Sequence, residues 1–482
     1  MGELNINFLC IAPQLILVFF GFLLMLIGGY TKVSKGGYLG QVSALGMAIA
    51  FIVNAYLFGS RKLGFSNIII YDELAGIFNA IFISSGFLVS LLSDKYIENK
   101  IKHSGEYYAL INFAVAGMSF MVASLDFLVL FLGLELMSLS VYILAGLFKH
   151  SERSIEAAMK YFLLGAFSTA IFLLGVAFLY GSFGTTNMAY MLQNYAKYFM
   201  EEKSLPLLVG SALVFAGVVF KIAAVPFHMW TPDVYEGAPT TVTAFMATAV
   251  KAAAFSMLFR VYLLGLRGVV VDYTGIVAYL AVFTMTLGNL SALVQKSVKR
   301  MLAYSSIAHA GYLLVGFTAL NQIGLGAMIF YLISYMFMNI GAFAVISFFE
   351  KEEHSTELKN LAGKGFKHPF LGLMMVIFMF SLAGVPPTSG FTGKFYIFTG
   401  AIQAGYVSLA IIGVLNSAIS AYYYLRVLVY MYFREGEEEV SIINIGAAQV
   451  IAIVISALGV LNIGILPGSL FDLTIRSIAH LF

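Results

Sequence analysis

A run of about 20 apolar residues is long enough to cross the ~30 Å hydrocarbon core of a bilayer as an α-helix, and this sequence offers such a run again and again. Fourteen spans are read near 9–29, 38–59, 74–93, 108–124, 127–148, 158–183, 205–229, 239–265, 269–292, 300–320, 324–349, 370–403, 407–433 and 442–466. They far exceed the ~9–11 residues of a barrel strand, and inside lipid only helices and closed barrels satisfy every backbone polar group. The expected fold is therefore all-α and integral to the membrane. Composition agrees, with 61% hydrophobic and 11% charged residues and a mean hydropathy of +0.92, against roughly 25% charged in soluble domains.

The same residues exclude several kinds of chemistry. One cysteine, Cys10, rules out a disulfide framework, a zinc ribbon or a four-thiolate iron–sulfur site built within this chain, so any redox centre is expected on a partner. There is no P-loop and no G-x-G-x-x-G after a strand, and 27 basic against 24 acidic residues leave no nucleic-acid footprint. The first apolar run has no Lys or Arg before it and is too long for a signal-peptide core, so it is expected to stay as the first helix.

Basic residues between the spans set orientation. One set of alternate loops carries 17 of the 27 Lys and Arg and the other, with both termini, carries 6, the remaining four being Lys221, Lys251, Arg260 and Lys394 within spans. Both termini are thus expected outside the cytoplasm. Prolines interrupt two spans: Pro226 in the seventh, and Pro386 with Pro387 in the twelfth. Each removes a backbone donor and clashes with the preceding turn, so unwound backbone is expected near Ala224 to Phe227 and Gly384 to Gly390. The broken spans stand five apart. If spans 4–8 and 9–13 are copies of one unit, an odd count makes the second copy enter from the opposite side, as in inverted-repeat transporters. The chain then divides into 1–107 with three helices, 108–265 and 269–433 as the two five-helix units, and 434–482 with the last helix.

Depth gives the strongest chemical signal. Glu135, Lys221, Lys251 and His309 lie near the middles of the fifth, seventh, eighth and tenth spans, and Lys394 follows the break in the twelfth by about two turns. A lysine stem of roughly 6 Å cannot snorkel across the ~15 Å from mid-membrane to the interface. Each charge costs ~2.5–3.5 kcal/mol there if unpaired, so a bundle that keeps them needs partners or water nearby. Two uses remain open. Glu135 can pair with one lysine as a packing device, or the five groups can form a proton relay, in which burial disfavours the ammonium and a neighbouring carboxylate restores it. His309, beside Ser305, Ser306 and Tyr312, suits either packing or a relay. His228, just after Pro226, can cap freed carbonyls or join the relay. Arg260 is expected to anchor at an interface, Asp72 and Glu73 to favour the dipole at the start of the third helix, and Glu435 with Glu437 to Glu439 to form a solvated face.

The segments LFLGLELMSLSVYIL, SIEAAMKYFLLGAFSTAIFLLG, FKIAAVPFHMWTPDVYEGAPTTVTAFMATAVKAAAF, KSVKRMLAYSSIAHAGYLLVGF and SLAGVPPTSGFTGKFYIF occur in this order over about residues 110–430. With them the chain resembles the antiporter-like membrane subunits of respiratory NADH-quinone oxidoreductase (complex I). Lysine rather than an acid at 394, and an end about 16 residues after the last span without a long lateral helix, make it most like the N subunits rather than L or M. The resemblance implies that Glu135 modulates Lys221, that Lys251 and His309 make the central connection, and that Lys394 is the terminal group at the outer exit. It also implies proton translocation coupled to quinone reduction elsewhere. NADH, FMN, iron–sulfur clusters and quinone are then expected on partner subunits and no cofactor in this chain. Expected neighbours are a second antiporter-like subunit and small membrane subunits in the cell inner membrane. Alternatives are a cation/proton antiporter subunit of the same superfamily, a non-pumping assembly scaffold, and a general solute transporter.

Overall fold

The computed structural model describes residues 6–30, 38–98, 101, 104–200, 204–350, 356–436 and 445–481. Loop residues Lys32, Lys35, Lys100, Lys102, Lys203 and Lys351 and the acidic Glu437 to Glu439 lie outside the described residues. The helices are α1 Ala12–Tyr30, α2 Tyr38–Leu57, α3 Glu73–Glu98, α4 Ser104–Ala123, α5 Phe127–Ala145, α6 Glu152–Phe183, α7 Met188–Met200, α8 Ser204–Ile222, α9 Trp230–Gly237 and α10 Thr240–Phe245. They continue as α11 Lys251–Leu258, α12 Arg267–Leu293, α13 Val298–Thr318, α14 Gln322–Phe349, α15 Lys364–Lys367, α16 Pro369–Ala383, α17 Ser389–Gln403, α18 Val407–Phe433, α19 Ala447–Ile465 and α20 Gly468–Ile478. Twelve helices among the described residues are long and apolar enough to cross a membrane. The other two spans read from the sequence are α13, whose first turn holds Lys299 and Arg300, and the α16/α17 pair, whose halves have 15 residues each.

One departure from an all-α chain is a small hairpin, β1 Lys62–Gly64 paired antiparallel with β2 Ile69–Tyr71. Three-residue strands carry too little alternation to be read in advance. Segment 184–204 contributes α7, and the chain after 466 contributes α20.

Both expected breaks are present, with shifted limits. The first runs from Ala223 to Met229, and helix resumes as α9, whereas the seventh span was read to end at 229. Ala223 has φ +63°, and the N–H of Val225 donates to Thr284 Oγ1 of α12 at 3.0 Å. A neighbouring helix thereby satisfies a donor that Pro226 strands, which is how irregular backbone survives away from water. The second break runs only from Gly384 to Thr388, with α17 starting at Ser389 rather than after Gly390. Gly384 takes the left-handed φ of +89° that a helix C-terminus favours in glycine.

The segment Thr240–Gly265 is a buried central rod. Its α10 and α11 are joined by a π-helical turn, Met246–Val250, and a second π-helical segment, Phe259–Gly265, follows α11. Such insertions are frequent at functional positions. Small residues let the helices close on one another: a Cβ on Gly117 of α4 would sit 2.6 Å from the backbone N of Met137 in α5.

Arg260 corrects a sequence expectation. It is not an interfacial anchor: it is 0% exposed, and its guanidinium grips Asp72 in a bidentate pair at 2.7 and 2.5 Å while Nε donates to the carbonyl of Val122. Asp72 also accepts from the N–H of Ala75, capping α3 as its position at the helix start suggested. The pair therefore ties the central rod to α3 and α4. Removing one partner of a buried pair costs about 3–5 kcal/mol. Arg260→Ala should therefore lower the thermal midpoint of the detergent-extracted protein and thin its band on blue-native gels, with Arg260→Lys less affected. An unchanged midpoint in Arg260→Ala would contradict a structural role for this pair.

Candidate functional site

Glu135, Ser138 and Tyr142 share one face of α5, because residues three, four and seven apart line up along a helix. Lys221 reaches that face from the last turn of α8, immediately before the first break. Its ammonium donates to Ser138 Oγ at 2.9 Å and Tyr142 OH at 3.1 Å, and lies 5.3 and 5.9 Å from the rings of Tyr142 and Tyr161. Two hydroxyls and two π faces thus solvate a charge that is only 4% exposed. Glu135 is not among its hydrogen-bond partners. One carboxylate oxygen of Glu135, Oε1, is buried with no hydrogen-bond partner among the described residues.

Lys251 opens α11 directly after the π-helical turn and is 3% exposed. Its ammonium donates to the backbone carbonyl of Ser306, in α13, at 2.5 Å. One turn further along α13, His309 is held at both ring nitrogens: Nδ1 bonds Tyr331 OH of α14 at 2.5 Å and Nε2 bonds Tyr424 OH of α18 at 2.8 Å. Tyr424 OH is shared with Ser305 Oγ in a short hydrogen bond. A neutral imidazole donates from one nitrogen and accepts at the other, so the two phenols can exchange roles with it. Its ring also sits 5.6 Å from that of Tyr312, centroid to centroid.

Tyr312 leads to Lys394. The ammonium of Lys394 lies 5.0 Å from the Tyr312 ring centroid and donates to Ser417 Oγ at 2.9 Å and to the carbonyls of Leu382 and Ala383 at 3.1 and 3.2 Å. Those carbonyls end α16, where the second break leaves them without intrahelical partners and where the helix dipole is negative. The interruption thus builds the cation's seat.

Ser306, His309 and Tyr312 follow one another at a spacing of three on α13. At 1.5 Å and 100° per residue, the six-residue stripe advances about 9 Å and turns from the face toward Lys251 to the face toward Lys394. Four of the five central groups chosen from sequence therefore stand against hydroxyls or carbonyls: Lys221, Lys251, His309 and Lys394. The structure does not bring His228 into this set. It is buried in the first break with Nδ1 bonded to nothing among the described residues, while its imidazole stands against the backbone of Pro226, the group the capping expectation named. Sequence reasoning missed Ser138, Tyr142, Tyr161, Tyr331, Tyr424 and Ser417. Ser138 and Tyr142 were accessible through their spacing from Glu135, whereas Tyr331, Tyr424 and Ser417 meet the others only through long-range packing.

Residues 124–420 match the family described as NADH:quinone oxidoreductase/Mrp antiporter, TM. The chain is 48% identical over 97% of its length to NADH-quinone oxidoreductase subunit N of Trichlorobacter lovleyi, covering 96% of that protein. It is 39% identical to subunit N 1 of Solibacter usitatus, with 97% and 96% covered. A chain of respiratory complex I from Thermus thermophilus with bound aureothin superposes with TM-score 0.80 at 32% identity, over 95% of this chain and 98% of that one. A chain of the Mrp complex from Dietzia sp. shares the fold, with TM-score 0.86 at 20% identity over 98% of each. With relatives this similar over nearly its full length, this multi-pass membrane chain belongs to the NADH-quinone oxidoreductase subunit N family of antiporter-like subunits.

Proposed function

We propose that the chain moves protons across the membrane through Glu135, Lys221, Lys251, His309 and Lys394, while quinone is reduced on other subunits of the same complex. The observation that carries this reading is the α13 stripe, Ser306, His309 and Tyr312, bridging two buried ammonium groups. Its neighbours in the assembly are other membrane subunits of complex I, among them a second antiporter-like subunit and small membrane subunits, and NADH, FMN, iron–sulfur clusters and quinone belong to partner chains. The basic loop ends face the cytoplasm across the cell inner membrane, with both termini outside. The two broken helices occupy the same place in two inverted five-helix units, 108–265 and 269–433.

In this mechanism Glu135 is the variable charge. A carboxylate near Lys221 favours the ammonium, and its withdrawal or neutralisation favours the amine, so the proton is loaded and then released. The released proton moves to Lys251, whose ammonium rests on the turn of α13 just before His309. His309 passes it toward Lys394 by exchanging donor and acceptor roles with Tyr331 and Tyr424. Proton hops need heavy atoms within about 2.6–3.2 Å, so the remaining gaps are bridged by water, which costs little when the site is polar. Lys394, seated on carbonyls at the end of α16, is the last station before exit. The antiporter alternative would require an oxygen-ligand site for a metal cation, and the buried mid-span positions carry Lys221, Lys251 and Lys394 instead.

Lys221→Ala, Lys251→Ala and Glu135→Ala should each reduce proton pumping and NADH-driven quinone reduction together by about ten-fold or more, in complexes that still assemble on blue-native gels. Glu135→Asp should be milder because the charge survives. Full pumping in assembled Lys221→Ala and Glu135→Ala enzymes would make this chain a scaffold. Tyr424→Phe, which deletes one hydrogen bond to His309 while keeping the ring, removes ~1 kcal/mol of interaction. It should slow turnover about five-fold if that bond is made in the rate-limiting proton transfer, and wild-type turnover in this variant would take Tyr424 out of the pathway.

A further inference from the structure

Outside the central line lies a second buried ionic group that none of the above uses. Glu350 follows α14, its side chain is 3% exposed, and Oε2 accepts from Tyr96 OH of α3 and Thr240 Oγ1 of α10, both at 2.9 Å. The N–H of Thr240 in turn donates to Tyr96 OH at 3.2 Å. Lys299, in the first turn of α13, places its ammonium 3.9 Å from the other carboxylate oxygen and donates to the carbonyl of Ala238 at 2.7 Å. Three helices and the α9–α10 link thus converge on one carboxylate. Beside it a recess of about 10 Å³, lined in part by Glu350, Val298, Thr356, Glu357 and Asn360, has room for about one water.

Position makes this cluster more than a clasp. It sits at the basic ends of α3, α10, α13 and α14. Lys299 and Ser306 are seven residues apart on α13, two turns and about 10 Å along the same face, and the Ser306 carbonyl is the acceptor for Lys251. Lys251 itself lies eleven residues beyond Thr240 on the central rod, about 16 Å deeper. A buried carboxylate beside a water-sized recess therefore stands about two turns of α13 from the carbonyl that accepts from Lys251.

We infer that Glu350 collects protons from the side of the basic loops and delivers them to Lys251 as a second input beside the proton that Lys221 releases, an inference that rests on the relay proposed above. The carboxylate takes a proton from water in the recess and becomes the neutral acid. The acid gives that proton to water leading inward, the amine of Lys251 becomes an ammonium, and the carboxylate is restored for the next cycle. Among the described residues, the charged and titratable groups facing Glu350 include Lys299 from α13, Tyr96 from α3 and Glu357 across the recess. Lys299 favours the carboxylate between cycles, and its bond to Ala238 ties the collecting site to the cytoplasmic half of the broken seventh span.

The test uses inside-out membrane vesicles containing the assembled complex, so that the medium bathes the basic face. Glu350→Gln keeps acceptors for Tyr96 and Thr240 but cannot take up a proton. Its pumping should approach wild type at acidic medium pH and fall away as pH rises, by up to about ten-fold per unit once bulk protons load Lys251 directly. A small permeant weak acid such as formic acid should restore it, whereas Lys251→Ala should stay low at every pH and gain nothing from formic acid. Wild-type rates in Glu350→Gln at all pH values, or a uniform loss without rescue, would overturn the inference while a dead Lys251→Ala leaves the relay standing. Normal pumping in Lys251→Ala would overturn the relay itself. If Glu350→Gln does not assemble, Tyr96→Phe serves instead: it removes one hydrogen bond from the carboxylate and should move the pH profile of pumping to higher pH, and an unmoved profile counts against the role of Glu350.

Discussion

The contact between the Lys251 ammonium and the Ser306 carbonyl is the point from which the interior is organised. A lone charge at mid-membrane is costly, and only nearby dipoles, π faces or water reduce that cost. Each of the three central ammonium groups finds a different solution. Lys221 takes two hydroxyls and two aromatic rings, Lys251 takes a backbone carbonyl, and Lys394 takes the bare end of a half-helix. Among the described residues none of the three is held in an ion pair, which would fix its charge. Solvation by neutral dipoles lets the group carry a proton or give it up, and a relay requires that freedom.

The two proline breaks acquire a physical role in this light. A continuous α-helix commits each carbonyl to its own ladder and offers a cation at most a second lone pair, as Ser306 does to Lys251, whereas a bare helix end presents several carbonyls at once. Interrupting α16/α17 exposes the carbonyls of Leu382 and Ala383 to Lys394, and interrupting α8/α9 is balanced by Thr284 from α12. The π-helical turn before Lys251 belongs to the same economy of irregular backbone, since it sits where the rod delivers its lysine to α13. Away from these sites the helices close through small residues such as Gly117 and Gly133, as lipid-embedded packing demands.

Much of this was legible in the sequence because the bilayer imposes a length threshold that apolar runs either meet or miss. Spans, breaks and the central charged residues follow from that threshold, from proline chemistry and from the cost of a buried charge. What was not legible depends on contacts between distant positions. Arg260 looked like an anchor because nothing near it in sequence announces Asp72, and the phenols of Tyr331 and Tyr424 carry no charge to mark them among 28 tyrosines. The π-helical segments leave no compositional trace, and α9, with Thr231, Pro232 and Asp233 in its first turn, reads as loop although it completes the seventh span. Glu350 was passed over for a related reason: it falls at the end of an apolar run, where an acid is usually a solvated terminus.

The central claim is that protons cross this chain along α13, and His309 is the residue through which that line must pass. Its replacement by leucine fills a similar volume, keeps the helix and removes both nitrogens. The direct measurement is the number of protons translocated per NADH oxidised, together with the NADH oxidation rate, in vesicles holding fully assembled His309→Leu complex. The account predicts that translocation through this subunit stops and that the coupled NADH oxidation falls with it by about ten-fold or more. An unchanged rate at an unchanged proton stoichiometry would contradict it.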